Sequence, residues 1–572
     1  MLRSPGGLAR LLGLSLALGC AAPARAKPCC SDQDVFSPMA AEMARSLSRL
    51  RLKPYGPPYF IAYRVVDERR AAVSAAFGSL VSRSRGRRRH VFVELRYGER
   101  AFDNTELGYE GRHGEAGFAP AALRESLWQL TDQAYKDAVS GYLEKRAERL
   151  TRYRPEKLDD FSAQAATRCV QAQAPPELEL KKAGALAERL SAVFRRYPYI
   201  YDGRAAFQLS WSRRYLLTSE GTRLAVPEEN VPSSLDLWAV TRAPDGMLLT
   251  VQKRWMLRRL SDLPPERELL KAADALARGL MAERLAPAQA PAAAPAILDP
   301  EMTGVLFHEA LGHKLEGQRQ RDPKESQIFR DLVGKRIIPP FLSLRDDPTL
   351  PSFDGQPLHG FYRFDDEGVP AQRVVLVDRG VLRNFLMSRW PVRGFPFSNG
   401  HGRADADHRP TGRMANLMVV AERPVGRREL KRRLMALARE EGKPYGFLLV
   451  GAFGGENPNA RKAAQTLEVR PRRVYRVDAK TGAQTLVRGV SLVGTPLALL
   501  NRIVAAGDDE TLANGFFCGA ESGVVPVDQI APSVLISSVE LQRLPEDLAR
   551  PPILPSPFGE PEASAQAKAV RP

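Results

Sequence analysis

Cysteine, histidine and long apolar runs are all scarce in this chain of 572 residues. There are five cysteines and seven histidines, and aromatic residues make up 8%. Five cysteines are too few for a small disulfide-stapled scaffold. No apolar run reaches the ~18–20 residues that a membrane-spanning helix needs. The chain has no G-x-x-x-x-G-K-[ST] phosphate loop and no G-x-S-x-G nucleophile turn. Gly451-Ala-Phe-Gly-Gly455 lacks dinucleotide-binding spacing and reads as a strand turn. No internal repeat is visible.

What is present describes a globular protein of two or more domains. The chain is 44% hydrophobic and 26% charged, ordinary values for a soluble fold of this length. The net charge is +18, and most of the basic residues are arginine. That excess sits beside abundant Ala, Pro and Leu and is spread along the chain. It reads as coding composition, so no nucleic-acid partner is expected.

The first 26 residues have the layout of a secretory signal peptide. Arg3 and Arg10 supply positive charge, Leu11 to Leu18 form a short apolar core, and Ala24-Arg25-Ala26 is a small-x-small cleavage site. A lipoprotein signal with an anchor at Cys20 is the lesser reading, because Leu18 fits poorly before such a cysteine. Either way the mature protein is expected to be exported, to a periplasmic or extracellular compartment. Disulfides are permitted there, and Cys169 has two candidate partners, Cys29 and Cys30.

Residues 27–285 alternate helical and strand patterns, which predicts an α+β domain with a mixed antiparallel sheet. The arginine-rich stretch Arg83–Arg89 reads as a solvated hairpin turn. Residues 286–297, almost entirely Ala and Pro, read as an extended linker. Residues 298–545 are expected to form a β-rich domain opened by one helix, and residues 546–572 a Pro-rich tail.

The opening helix of the second domain carries the chemistry. Asp299 is a natural N-cap, Pro300 suits the first helical position, and Gly317 is a natural stop. Within it stands His308-Glu309-x-x-x-His313. Zinc-peptidase helices carry two histidines four apart, about 40° around the helix; five apart is about 140°. Two imidazoles so placed cannot share one ion on a regular helix. A π turn, which absorbs one residue, would restore a common face, and Gly312 eases the distortion.

The helix and the chain beyond it resemble the TldD/PmbA family of metallopeptidases, also called modulators of DNA gyrase. The likeness starts at Ser219-Glu-Gly-Thr. It is strongest from Ile297 onward, through Leu344-Arg-Asp-Asp-Pro, Asp365-Asp-Glu-Gly-Val-Pro, Gly402-Arg403, Arg413-Met-Ala-Asn416 and Cys518-Gly. The resemblance implies a zinc site built from His308, His313 and Cys518, with an open fourth position. Ligand softness prefers zinc, with iron or cobalt as substitutes. Glu309 takes the place of the general base on the metal's water. Glu316 is expected to orient a histidine. Arg403 and Arg413 are candidates for binding substrate carboxylate, for stabilising an oxyanion, or for salt-bridging. His401, Asp405, Asp407 and His408 form a second cluster, read as loop surface.

The implied function is hydrolysis of unfolded or short peptides. The family also implies a dimer, either of two identical chains or with a relative lacking the helix motif. The rival expectation is a non-catalytic peptide-binding or scaffold protein with a structural zinc.

Overall fold

A computed structural model describes residues 32–105, 111–151, 158–172, 179–227, 233–322, 325, 327–456 and 466–544. The expected signal sequence, the anchor candidate Cys20, Cys29, Cys30 and the tail from 546 lie outside them. Cys169 is disulfide-bonded.

Long alternating stretches build the amino-terminal half. Its elements are α1 (Asp32–Arg49), β1 (Phe60–Ala76), β2 (Ser79–Arg96), β3 (Arg112–Glu115), α2 (Pro120–Thr151), β4 (Arg168–Val170), α3 (Leu180–Ala192), β5 (Asp202–Thr218), β6 (Arg223–Pro227), β7 (Ser233–Arg242), β8 (Leu248–Leu257) and α4 (Glu266–Leu285). The strands form one eight-stranded sheet in the order β8-β7-β5-β1-β2-β3, with β6 beside β5 and β4 beside β6. One face is apolar. Ile61, Tyr63 and Val65 lie in a core with residues of α1 and α2, and Ala71, Val73 and Phe207 in one with residues of α3 and α4. The opposite face carries Arg64, Glu68, Gln208, Ser210, Ser212 and Arg214 toward the carboxy-terminal half.

The turn of the β1–β2 hairpin is not at Arg83–Arg89. It is Phe77-Gly78, where φ is 46° and 82°, the left-handed pair that a two-residue hairpin loop requires. The arginines lie within β2 instead, Arg83 opposite Val73 and Arg89 opposite Asp67.

The carboxy-terminal half contains β9 (Ala292–Leu298), α5 (Pro300–Phe307), β10 (Leu342–Asp346), β11 (Val374–Asp378), β12 (Val381–Leu382), β13 (Asn416–Ala421), α6 (Arg427–Glu440), β14 (Tyr445–Glu456), β15 (Leu467–Asp478), β16 (Gln484–Val487), β17 (Val490–Gly494), α7 (Pro496–Asn501), β18 (Ile503–Ala506), β19 (Thr511–Ala520), β20 (Gly523–Ala531) and β21 (Val534–Arg543). Strands β9, β14, β15, β17 and β21 close into a barrel, because β9 pairs with both β14 and β21. A second, six-stranded sheet runs β12-β11-β10-β13-β20-β19. Helix α5 packs between the two.

The Ala/Pro stretch expected as a linker over 286–297 departs from that reading. Its second part is β9, with Ala294, Ala296 and Leu298 at most 2% exposed. Small side chains suit this strand. Its neighbour Ile297 packs outward on Leu430 and Leu434 of α6, while Ala294 and Ala296 belong to the main core. Helix α6, absent from the expected strand-and-turn pattern, covers the barrel with Leu430, Leu434 and Ala438 at apolar i, i+4, i+8 spacing.

Candidate metal centre

Strand β9 delivers the chain directly into α5. Asp299 caps it, its carboxylate accepting from Met302 N at 2.9 Å and from Gly451 N of β14 at 2.9 Å. Burial pushes this carboxyl up to about 6 against those two hydrogen bonds. After Phe307 the helix widens into a π turn over His308–Gly312 and tightens to 3₁₀ over His313–Leu315. The extra residue is absorbed there, and the two histidines come to one side with ring centroids 4.9 Å apart and planes at 88°.

Gly312 has ordinary right-handed torsions (φ −48°, ψ −59°), so its service is space and not conformational freedom. A Cβ on it would lie 2.0 Å from Met414 Sδ, so the π turn is wedged against the Arg413–Asn416 segment.

Cys518, on β19, points at the histidines. Its Sγ is 3.4 Å from His313 Nε2. One donor atom from each of His308, His313 and Cys518 lies within 4.8 Å of the others, the one such group among the described residues. All three are buried, at 5%, 6% and 2% exposure. Burial opposes ionisation of the thiol, but His313, His308 and Arg413 outweigh it and hold the sulfur well below its usual range. A sulfur inclined to thiolate facing two imidazoles is the donor chemistry zinc takes.

Each histidine is held by its other nitrogen. His313 Nδ1 lies 3.0 Å from Glu316 Oε1. Glu316 is fully buried. Burial would raise it, but Arg319, His313 and Arg413 hold it down at about 2. Arg319 donates through Nε at 2.8 Å, and Arg413 Nε lies 3.4 Å away. His308 Nδ1 lies 3.1 Å from the Gln529 side-chain amide nitrogen, while Gln529 Oε1 is buried without a partner. Exchanging the two ends of that amide lets the oxygen accept from Nδ1–H and leaves Nε2 free as a metal donor. The residues present therefore fit a divalent ion.

Glu309 follows on the cleft side, 9% exposed. Burial raises its carboxyl against the pull of His308 and His313. Gly455 of β14 stands beside it, where a Cβ would meet Glu309 Cγ at 2.6 Å. The run read as a plain strand turn thus shapes the room around this carboxylate. The cleft beyond has a volume of about 990 Å3, with His308, Glu309 and Gly455 on one side and Arg254, Trp255 and Met256 of β8 on the other.

Arg403 and Arg413 are engaged by groups of the fold itself. Both are buried, at 2% and 0% exposure. Arg413 donates to Cys518 O at 2.6 Å, Ser522 Oγ at 2.8 Å and Gly523 O at 3.1 Å. Arg403 donates to Met414 O and, at 2.9 Å, to Pro526 O. They hold the β19–β20 hairpin against the π turn.

The second cluster divides. His401 is not loop surface: it is fully buried, its Nε2 3.2 Å from Asp346 Oδ1. Asp346 in turn accepts from Ala415 N, which braces Met414 behind Gly312. Asp405, Asp407 and His408 are partly exposed at the seam with the amino-terminal sheet. There Asp407 meets His90 at 3.2 Å, and Arg64 donates to Asp405 O at 2.8 Å. Ser219-Glu-Gly-Thr acts at the same seam, since Glu220 pairs with Arg389 at 2.8 Å.

Arg319, Gln529 and Gly455 escaped sequence reasoning. Arg319 had a signal, its i+3 spacing from Glu316; Gln529 and Gly455 approach from distant strands and had none.

Residues 291–543 match the family model described as the PmbA/TldA metallopeptidase C-terminal domain. Among curated relatives, the chain is 31% identical over 240 residues to a metalloprotease of Archaeoglobus fulgidus, covering 42% of this chain and 51% of that one. It is 28% identical over 277 residues to a Haemophilus influenzae metalloprotease TldD homolog (48% and 53%). It is 27% identical over 249 residues to a Saccharolobus solfataricus zinc metalloprotease TldD homolog (43% and 51%). The chain thus spans about half the length of the curated relatives it matches. Among solved structures, TldE from Thermococcus kodakarensis aligns with a TM-score of 0.56 at 15% identity, over 85% of this chain and 97% of that one. A Thermotoga maritima protein described as a modulator of a DNA gyrase aligns at 0.59 and 15%, over 89% and 99%. At such identity these two likenesses speak for the fold alone.

Proposed function

The carboxy-terminal half of the chain, residues 291–543, belongs to the PmbA/TldD family, and from that premise we propose that the protein is a zinc-dependent peptidase acting on unfolded or short peptides. The observation that carries this reading is the convergence of His308, His313 and Cys518 beside Glu309 on an open cleft. A divalent ion held by those three donors would polarise a scissile carbonyl and acidify a water.

The chain's own residues supply the rest. Glu309 takes a proton from the attacking water and returns it to the leaving amine nitrogen. Glu316 and Gln529 keep the far nitrogens of His313 and His308 engaged, so the rings do not turn away. Strand β8 ends the amino-terminal sheet and borders the cleft. An extended peptide laid across its cleft-facing side chains, Gln252, Arg254 and Met256, suits this floor, which favours unfolded substrates over folded ones. A structural zinc would call for four protein donors, and three converge here among the described residues.

Metal analysis combined with a peptide-hydrolysis assay tests the proposal. Glu309→Gln is expected to keep about one zinc per chain while losing turnover by roughly 10³-fold or more. Equal hydrolysis by both proteins overturns the role of Glu309. Export is proposed from the first 26 residues. Mass spectrometry of the secreted protein should find Lys27 at its amino terminus. Pairing with a second copy or with a motif-less relative is proposed alongside, and the native mass in solution tests it.

A further inference from the structure

A second cavity, of about 350 Å3, lies across the β19–β20 hairpin from the metal cleft. Phe517 lines both. It neighbours Cys518 on a strand, so the two side chains point to opposite faces. The floors are also continuous. Gln252, Arg254 and Met256 of β8 border the metal cleft, and Gln208, Ser210 and Ser212 of β5 border the second cavity. Strand β7 joins them in register, with Ser234 between Gln208 and Met256. One polar sheet face therefore runs beneath both.

The chemistry of the second cavity is that of an apolar receptor with a balanced rim. Phe517 is 42% exposed and Val524, two strand positions on from Phe517's partner Pro526, is 54% exposed. Burial of such groups needs an apolar occupant. Four of the lining carboxylates are ion-paired: Glu68 with Arg70, Asp366 with Arg214, Asp405 with His408 and Asp407 with His90. Arg64 and Arg403 of the same lining give their N–H groups to backbone carbonyls, and Asp365 accepts from the backbone N–H groups of Glu367, Val369 and Gly402, so these charges are engaged within the fold.

We propose that this second cavity is a substrate subsite that takes one aromatic or aliphatic side chain of the peptide, several residues away from the bond cleaved. The proposal rests on the peptidase reading above and names where such a substrate extends. From β8 to β1 is three strand spacings of ~4.8 Å, roughly 14 Å. An extended peptide advances ~3.3 Å per residue, so the subsite is reached about four or five residues from the scissile bond.

The test uses the full zinc-loaded protein and quenched fluorogenic peptides of Ser, Gly and Ala, ten to twelve residues long. A single Phe is moved along the peptide. The kcat/KM is expected to peak at one position, about four or five residues from the cleaved bond. The peak should stand roughly tenfold above Ser at that position. Val524→Asp, at an exposed site where folding is not at stake, is expected to abolish the peak through KM. Binding of the same peptides to the Glu309→Gln protein, read by fluorescence anisotropy, should show the same positional preference.

A flat profile overturns the subsite, and so does a Val524→Asp protein that keeps the peak. So does a change in native mass on Val524→Asp with the preference intact, which assigns the patch to a subunit contact. If no peptide is cut but the positional preference in binding persists, the peptidase reading fails and the subsite stands. Cleavage without positional preference is the converse.

Discussion

The molecule carries two histidine clusters, and they are built on opposite principles. His308, His313 and Cys518 are buried soft donors whose free atoms face one another. Each ring is pinned from behind by an oxygen- or amide-bearing side chain. His90, His113, Asp407, Asp405 and His408 mix imidazoles with carboxylates at the seam between the two halves. There each ring turns at least one nitrogen to a carboxylate and not to another ligand atom. Counting ligand types does not separate a metal site from an electrostatic seam. The direction in which the lone pairs point does.

Four changes, with a matched control at the seam and one rescue, test that contrast, taken from the largest expected effect to the smallest. Cys518→Ser should remove zinc and turnover together, with metal per chain falling from about one to near zero by elemental analysis. The matching change at the seam, Asp407→Asn, should leave the metal content untouched; loss of zinc there would erase the distinction. Glu316→Gln keeps all three donors but loosens His313. It should weaken zinc binding about 10- to 100-fold in a chelator competition.

Gly312→Ala forces a Cβ against Met414. It should cost about 1–3 kcal/mol of stability by denaturant unfolding, and Met414→Ala in the same chain should return most of it. The smallest effect concerns His90, whose imidazole is pushed up to about 9 by its contacts with Asp407 and Glu68 against the opposing effect of burial. Folding favours its protonated form. Its stabilisation is therefore complete below the unfolded value near 6.5 and is lost as the pH rises through about 9. Solvent screening limits the effect to under about 1 kcal/mol. Unfolding of His90→Gln should lose that pH dependence between 6.5 and 9 while zinc content stays the same.

The parts of this arrangement that a reader of the sequence could reach are local ones. The five-residue spacing of His308 and His313 is incompatible with a shared face on a regular helix, and the π turn resolves it where expected. Asp299 caps, and the long alternating strands of the amino-terminal sheet form as their patterns indicate. What stayed hidden depends on partners far along the chain. The Ala/Pro stretch is indistinguishable from a linker until β14 and β21 flank it. For Arg403 and Arg413 the sequence leaves substrate binding, an oxyanion and salt-bridging open, because nothing local reveals that the carbonyls of Met414, Cys518, Gly523 and Pro526 use their guanidinium groups. The arginines of β2 look like a turn because composition outweighs the two positive torsions at Phe77-Gly78.

Barrel closure has a bearing on when this chemistry can begin. Strand β9, which launches the metal-bearing helix, takes β21 as one of its two partners. The imidazoles are thus made more than two hundred residues before the thiol, and the strand anchoring them waits for a partner that is made later still. Until β19 and β21 have been made, the three donors cannot converge on one point.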